Sequence, residues 1–203
     1  MSDQKRPYRM QRRAELEEQT RQRITESAVA LHEELGPAQT SISAIAERAG
    51  VRRSTIYRHF PDEDALLAAC SAHWREANPP PDPKAWLSIQ DPAARTRTAL
   101  RELYVFYGST EAMYVSLLRD EPLVPALELR LRDFHGYLRF IQDDLTSSRK
   151  LRGRRAKYTH AAIGHALSFP TWRSLFREQG LSMEDAVELM CRLVEDAASA
   201  GRV

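Results

Sequence analysis

Between Arg52 and His59 the chain reads RRSTIYRH, and every residue but Ile56 carries a hydrogen-bonding side chain. Guanidinium groups make forked contacts to guanine edges and phosphates, and hydroxyls serve either. That is the chemistry of recognition rather than of reaction. A nucleophile needs a base within reach and a third group to orient that base. No nucleophile elbow or glycine-rich phosphate loop occurs. The six histidines, at 32, 59, 73, 135, 160 and 165, show no HExxH or paired-cysteine spacing. His160 and His165, five apart, make a poor helical metal pair, and a core or dimer-interface role suits both better. No catalytic residue, metal ligand or cofactor is therefore expected, and the chain does not read as an enzyme.

The elements around this stretch position it. Ile42, Ile45, Ala46 and Ala49 recur at helical spacing, so one face of a short helix is apolar. Ser41 stands where an N-cap belongs, its hydroxyl free to take an orphan backbone N–H. Gly50 ends the helix, because that position often needs positive φ, and Val51 anchors the turn. A second helix over about Arg52–Phe60 buries Ile56 and Phe60, which are i and i+4. Arg52, Arg53, Thr55, Tyr57, Arg58 and His59 are left facing outward. Pro61 stops it, and Asp62 caps the next helix. This is a helix-turn-helix with a cationic outer face, the shape and chemistry that fit a DNA major groove.

Ile45-Ala46, Ala49-Gly50-Val51, Thr55-Ile56-Tyr57, His59-Phe60 and Ala65-Leu66 together resemble the DNA-binding signature of the TetR family of transcriptional repressors. The resemblance covers roughly residues 20 to 70. It implies DNA contacts from Ser41, Ser43, Arg52, Arg53, Ser54, Thr55, Tyr57, Arg58 and His59. Three positions depart from the family pattern. Ser54 stands where Gly is frequent, His32 where an aromatic residue is usual, and Glu63 where Lys usually contacts a phosphate.

Composition bounds the rest. The 203 residues suffice for one or two domains, and 42% are hydrophobic, as in ordinary globular chains. No apolar run is long enough to span a membrane, and MSDQKRPYRMQRR has no apolar core of a secretory signal. Two cysteines without CxxC spacing suggest a reduced, cytoplasmic chain. The first 60 residues carry 11 Lys and Arg against 8 Asp and Glu, so the positive charge sits at the helix-turn-helix end, as a DNA footprint requires. Residues 1–15 form a basic arm that is either a frayed terminus or a source of phosphate affinity.

The expected fold is all-α with about nine helices. A DNA-binding domain over 1–77 is followed by a Pro-rich linker over 78–90 and a ligand-binding and dimerisation domain over 91–203. The first helix spans about Arg12–Leu35, with Ile24, Ala28, Leu31 and Leu35 buried. Four prolines among residues 79–83 forbid helix there. Asp91-Pro92 opens a helix that Gly108 ends, and a short one follows over Glu111–Arg119. Another runs to about Leu145, and a long one covers about Arg155–Gln179. A last one is capped by Ser182. The segment Arg149–Lys157, with six basic residues in nine, reads as a solvated loop, and Asp143-Asp144 as a solvated helix face.

The last two helices have more apolar surface than one protomer covers. The family resemblance implies a homodimer through residues 155–200, with two recognition helices set for a palindromic operator on double-stranded DNA. It also implies a small-molecule effector site. Tyr104, Tyr107, Met113, Tyr114, Phe134, Tyr137, Phe169 and Trp172 are the candidates for it, and they suit an apolar or aromatic molecule. The competing reading is a helical interaction or membrane-surface module that uses its arginine-rich segments. Specific binding of one palindromic duplex separates the two.

Overall fold

The computed structural model describes residues 5–199, and within them the chain is helical with no strand. The ten α-helices are α1 Lys5–Glu34, α2 Ile42–Ala49, α3 Arg53–His59, α4 Glu63–Ala77, α5 Lys84–Leu87, α6 Pro92–Asp120, α7 Pro125–Ser147, α8 Gly153–Leu167, α9 Phe169–Arg173 and α10 Met183–Ser199. Two compact units emerge. The chain up to Pro79 joins Val115–Arg130 in the first, and Pro80–Tyr114 joins the chain from Leu131 onward in the second.

The first unit is built on the caps that the sequence supplies. Ser41 Oγ accepts from Ala44 N at 3.1 Å, and Asp62 Oδ1 accepts from Ala65 N at 2.7 Å. Gly50 adopts φ 64°, ψ 38° and lets Val51 N reach Ala46 O at 2.9 Å. That left-handed geometry closes α2 and aims the chain into α3. Ile24, Ala28 and Leu31 of α1 pack with Ile42, Ile45 and Ala49 of α2, Ile56 of α3, and Leu66 and Cys70 of α4 in one core. Burial pushes the Cys70 thiol up to about 12, so it behaves as a core hydrophobe.

The end of α6 completes this unit. Ser116 Oγ donates to Glu33 O, Arg119 Nη2 to Leu35 O, and Ala38 N donates to the Asp120 carboxylate at 2.9 Å. Gly36 lies under that clasp at φ 90°, where a Cβ would collide with Arg119 and Asp120. Arg119 and Ala38 hold the Asp120 carboxyl below the usual carboxylate range, although it is almost fully buried. Arg130 donates to both oxygens of Asp64 at 2.9 Å and so ties α7 to the first turn of α4.

In the second unit, α8 packs on α10, and Ile163, Ala166 and Leu167 of α8 and Ala186, Val187, Met190 and Val194 of α10 are buried. Arg97 and Arg101 of α6 pair with Glu188 and Glu184 of α10. Trp86 of α5 is fully buried, and Arg95 holds the nearby backbone by donating to the carbonyls of Leu87 and Ile89.

Several expectations need correction. Helix α1 begins at Lys5, not near Arg12, so the described part of the basic arm is helical. Residues 1–4, and the side chains of Lys5, Arg6 and Arg9, lie outside what is described. Gly108 does not end a helix, because α6 runs unbroken to Asp120. An interior glycine costs about 1 kcal/mol, less than burying Tyr104 and Tyr107 on the same helix returns. The long helix expected over 155–179 breaks at Ser168. Its hydroxyl caps α9 through Thr171 N, and Pro170 cannot give the N–H that a continuous helix needs. Arg149 is not a solvated loop residue. Its side chain is 5% exposed and donates to Glu195 at 2.5 Å, to Thr96 and to Leu145 O. Asp144 likewise faces Arg95 at 3.2 Å rather than solvent.

Candidate nucleic-acid interface

Helix α3 shows what the sequence spacing demands. Ile56 and, just past the helix, Phe60 are each 1% exposed, so the rest of the helix surface turns away from the core. Arg52, Arg53, Ser54 and Arg58 are exposed, Tyr57 is 43% exposed, and Thr55 and His59 are half-buried. Ser41 and Ser43, at the start of α2, are exposed too. Arg52, Arg53 and Arg58 make no ion pair among the described residues. By contrast, Arg48 on α2 is taken up by Glu34 in a forked pair at 2.6 and 2.7 Å. The basic charge of α2 is thus neutralised within the fold, and that of α3 is left bare. A bare cationic face attracts a polyanion because each phosphate it meets releases condensed counterions.

His59 differs from its neighbours. Its Nε2 is buried without a partner among the described residues, and burial, then the charges of Arg58 and Arg21, push its pKa down. It is a neutral ring lying partly inward. Arg21 of α1 escaped the sequence reading. Its Nη1 donates to His59 O at 2.8 Å, and its guanidinium lies 4.3 Å from the Phe60 ring centroid. It thereby takes a carbonyl at the end of α3 that the helix leaves open. Arg21 falls at helical spacing with Ile24 and Ala28, which could have signalled that it faces the core side. Glu63 is exposed in the first turn of α4 and has no ion-pair partner among the described residues.

The effector candidates assemble in the second unit. Tyr107 meets Tyr114, Phe134, Phe169 and Trp172 at ring distances of 6.0, 6.5, 5.3 and 5.8 Å. Tyr114 and Phe134 lie 4.9 Å apart, and Phe134 stacks on Tyr137. Tyr104 reaches the group through Phe176, and Met113 is buried. Phe106 and Phe176 also belong to it, though neither stood out in sequence. The hydroxyls of Tyr104, Tyr107 and Tyr137 are spent on the carbonyls of Ala166, Leu167 and Pro81. Burial raises the pKa of all three, so they stay neutral. The buried Trp172 indole N–H has no partner among the described residues.

Residues 24–70 match the family model described as bacterial regulatory proteins, tetR family. No curated protein matches the sequence. Among solved structures, a TetR-like transcriptional regulator from Rhodococcus sp. RHA1 is 18% identical, with a TM-score of 0.62 over 89% of this chain and 96% of that one. A putative TetR-family regulator from Syntrophomonas wolfei is 17% identical, with a TM-score of 0.62 over 92% of this chain and 98% of the other. The fatty acid degradation regulator FadR from Bacillus halodurans is 17% identical, with a TM-score of 0.58 over 86% and 93%. At such identities the likeness speaks for the fold. No described helix is long and apolar enough to cross a membrane.

Proposed function

We propose that the chain, whose residues 24–70 match the tetR-family model, is a homodimeric repressor of that kind that reads a palindromic operator through α3. The observation that carries this is the bare cationic face of α3, beside a paired Arg48 on the neighbouring helix. Arg52, Arg53, Ser54, Thr55, Tyr57 and Arg58 supply base and phosphate contacts, with Ser41 and Ser43 at the edge. His59 acts through its place at the helix end, held by Arg21.

Dimerisation through residues 155–200 is supported by apolar surface left over after α8 and α10 have packed on each other. Leu189 and Leu193, one turn apart on α10, are 46% and 39% exposed, and Tyr158 on α8 is 41% exposed. A C2 interface would bury this stripe against its own copy.

The effector, in this reading, enters the aromatic cluster around Tyr107 and releases the operator. The ring edges and faces favour an apolar or aromatic body, and the unpartnered Trp172 N–H offers one donor to orient it. Selection of bound duplexes from a random pool tests the central part. Enrichment of an inverted repeat supports the proposal, and recovery of duplexes with no common sequence rejects it.

A further inference from the structure

A crevice of about 180 Å³ opens in the first unit between the end of α1, α2, the first turn of α4 and the segment after α6. Its apolar lining includes Ile42, Ile45 and Leu66, and Glu63 and Asp64 stand on α4 at its edge. The remaining polar lining is His32 and Thr40, and the Thr40 hydroxyl already donates to Gly36 O. His32 is more than nine-tenths buried, yet its ring makes no hydrogen bond among the described residues. A polar ring that lines an open crevice without a protein partner is free to take a ligand's hydrogen bond there.

We propose that this crevice binds a small organic ammonium ion, one apolar group the size of a benzene ring bearing a primary amine. Size sets the first limit, because a cavity of about 150 Å³ accommodates one benzene ring. Charge sets the second. Asp64 is spent on Arg130, but Glu63 has no cation among the described residues. An anion would meet the Glu63 carboxylate at the crevice edge. It would also need a protonated His32, and burial keeps that imidazole neutral down to about pH 4. A neutral imidazole offers a bare ring nitrogen as acceptor. The ammonium donates to that nitrogen and to the Glu63 carboxylate, while its hydrocarbon part covers the isoleucines. This site lies apart from the aromatic cluster and does not depend on its role.

Benzylamine, benzyl alcohol and benzoate are titrated into the full-length chain at pH 7.5, with the His32 ring resonances followed by NMR and the heat by calorimetry. Benzylamine is expected to shift His32 saturably and to bind at least tenfold more tightly than either comparator. Glu63→Gln is expected to remove that tenfold preference over the alcohol, and His32→Phe to abolish binding by filling the space. Three results each overturn the proposal: no saturable shift at His32, an alcohol that binds as well as the amine, or amine affinity that survives unchanged in either variant.

Discussion

His32→Phe has a second consequence, which the burial of the imidazole makes quantitative. An exposed histidine titrates near pH 6.5, whereas burial pushes His32 down to about 4, with Asp120 opposing the shift. The folded-state pKa is depressed, so between those values the unfolded chain binds a proton that the folded chain does not. Stability is therefore full above about pH 6.5 and falls as the pH drops toward 4, by up to about 1.4 kcal/mol per pH unit. From pH 7 to pH 5 the two pKa values give a loss of about 1.8 kcal/mol, or about 20-fold in the opening equilibrium. Phenylalanine carries no proton and removes that dependence. Amide hydrogen exchange at Ile24, Ala28 and Ile56, all in the core of the same unit, reads the opening directly. The intrinsic exchange rate cancels when both proteins are compared at one pH. The ratio of wild-type to variant protection should fall about 20-fold between pH 7 and pH 5. A ratio that does not change with pH would mean that His32 titrates as a hydrated ring, and the packing argument for it would fail.

Three further outcomes follow from the same geometry. Glu63→Lys should tighten binding to any duplex and, in a dimer, steepen the slope of log K against log salt by roughly 1.8, read from affinities at several salt concentrations; an unchanged slope would mean residue 63 faces no phosphate. Arg21→Ala should weaken duplex binding by about fivefold, the worth of about 1 kcal/mol for one lost hydrogen bond, while leaving the salt slope alone; a shallower slope would make Arg21 a phosphate contact instead. Leu189→Glu with Leu193→Glu should give monomers in sedimentation, since each charge would be buried against its symmetry mate; an intact dimer would move the interface elsewhere.

What could be read from the sequence was local. Ser41, Gly50 and Asp62 fix their helix ends through contacts no more than five residues away, so the helix-turn-helix was legible almost residue by residue. Which side of α3 is buried followed from Ile56 and Phe60 alone. Gly108 misled because its usual role as a stop is a weak local preference, and the buried rings on the same helix outweigh it. The break at Ser168 has a local signal in Pro170, which cannot donate the N–H of a continuous helix. Arg149 could not have been placed, because its partners Thr96 and Glu195 are 53 and 46 residues away. Arg21 was half visible, since its spacing with Ile24 shows a face, but a backbone carbonyl as partner leaves no trace in a side-chain pattern. The crevice beside His32 arises where four separate segments fail to close, and no single segment announces it.

The central claim is that α3 reads a specific duplex with its bare arginines. The most direct measurement is the affinity of the full-length chain for its selected inverted repeat and for a scrambled duplex of equal length at physiological salt. Wild type, Arg53→Ala and Tyr57→Ala are compared, and circular dichroism confirms the fold. The account predicts that wild type prefers the inverted repeat by at least 10³-fold, and that each substitution costs about 1–3 kcal/mol on that duplex with helicity unchanged. Equal affinity of wild type for the two duplexes, or undiminished specific binding by both variants, would contradict it.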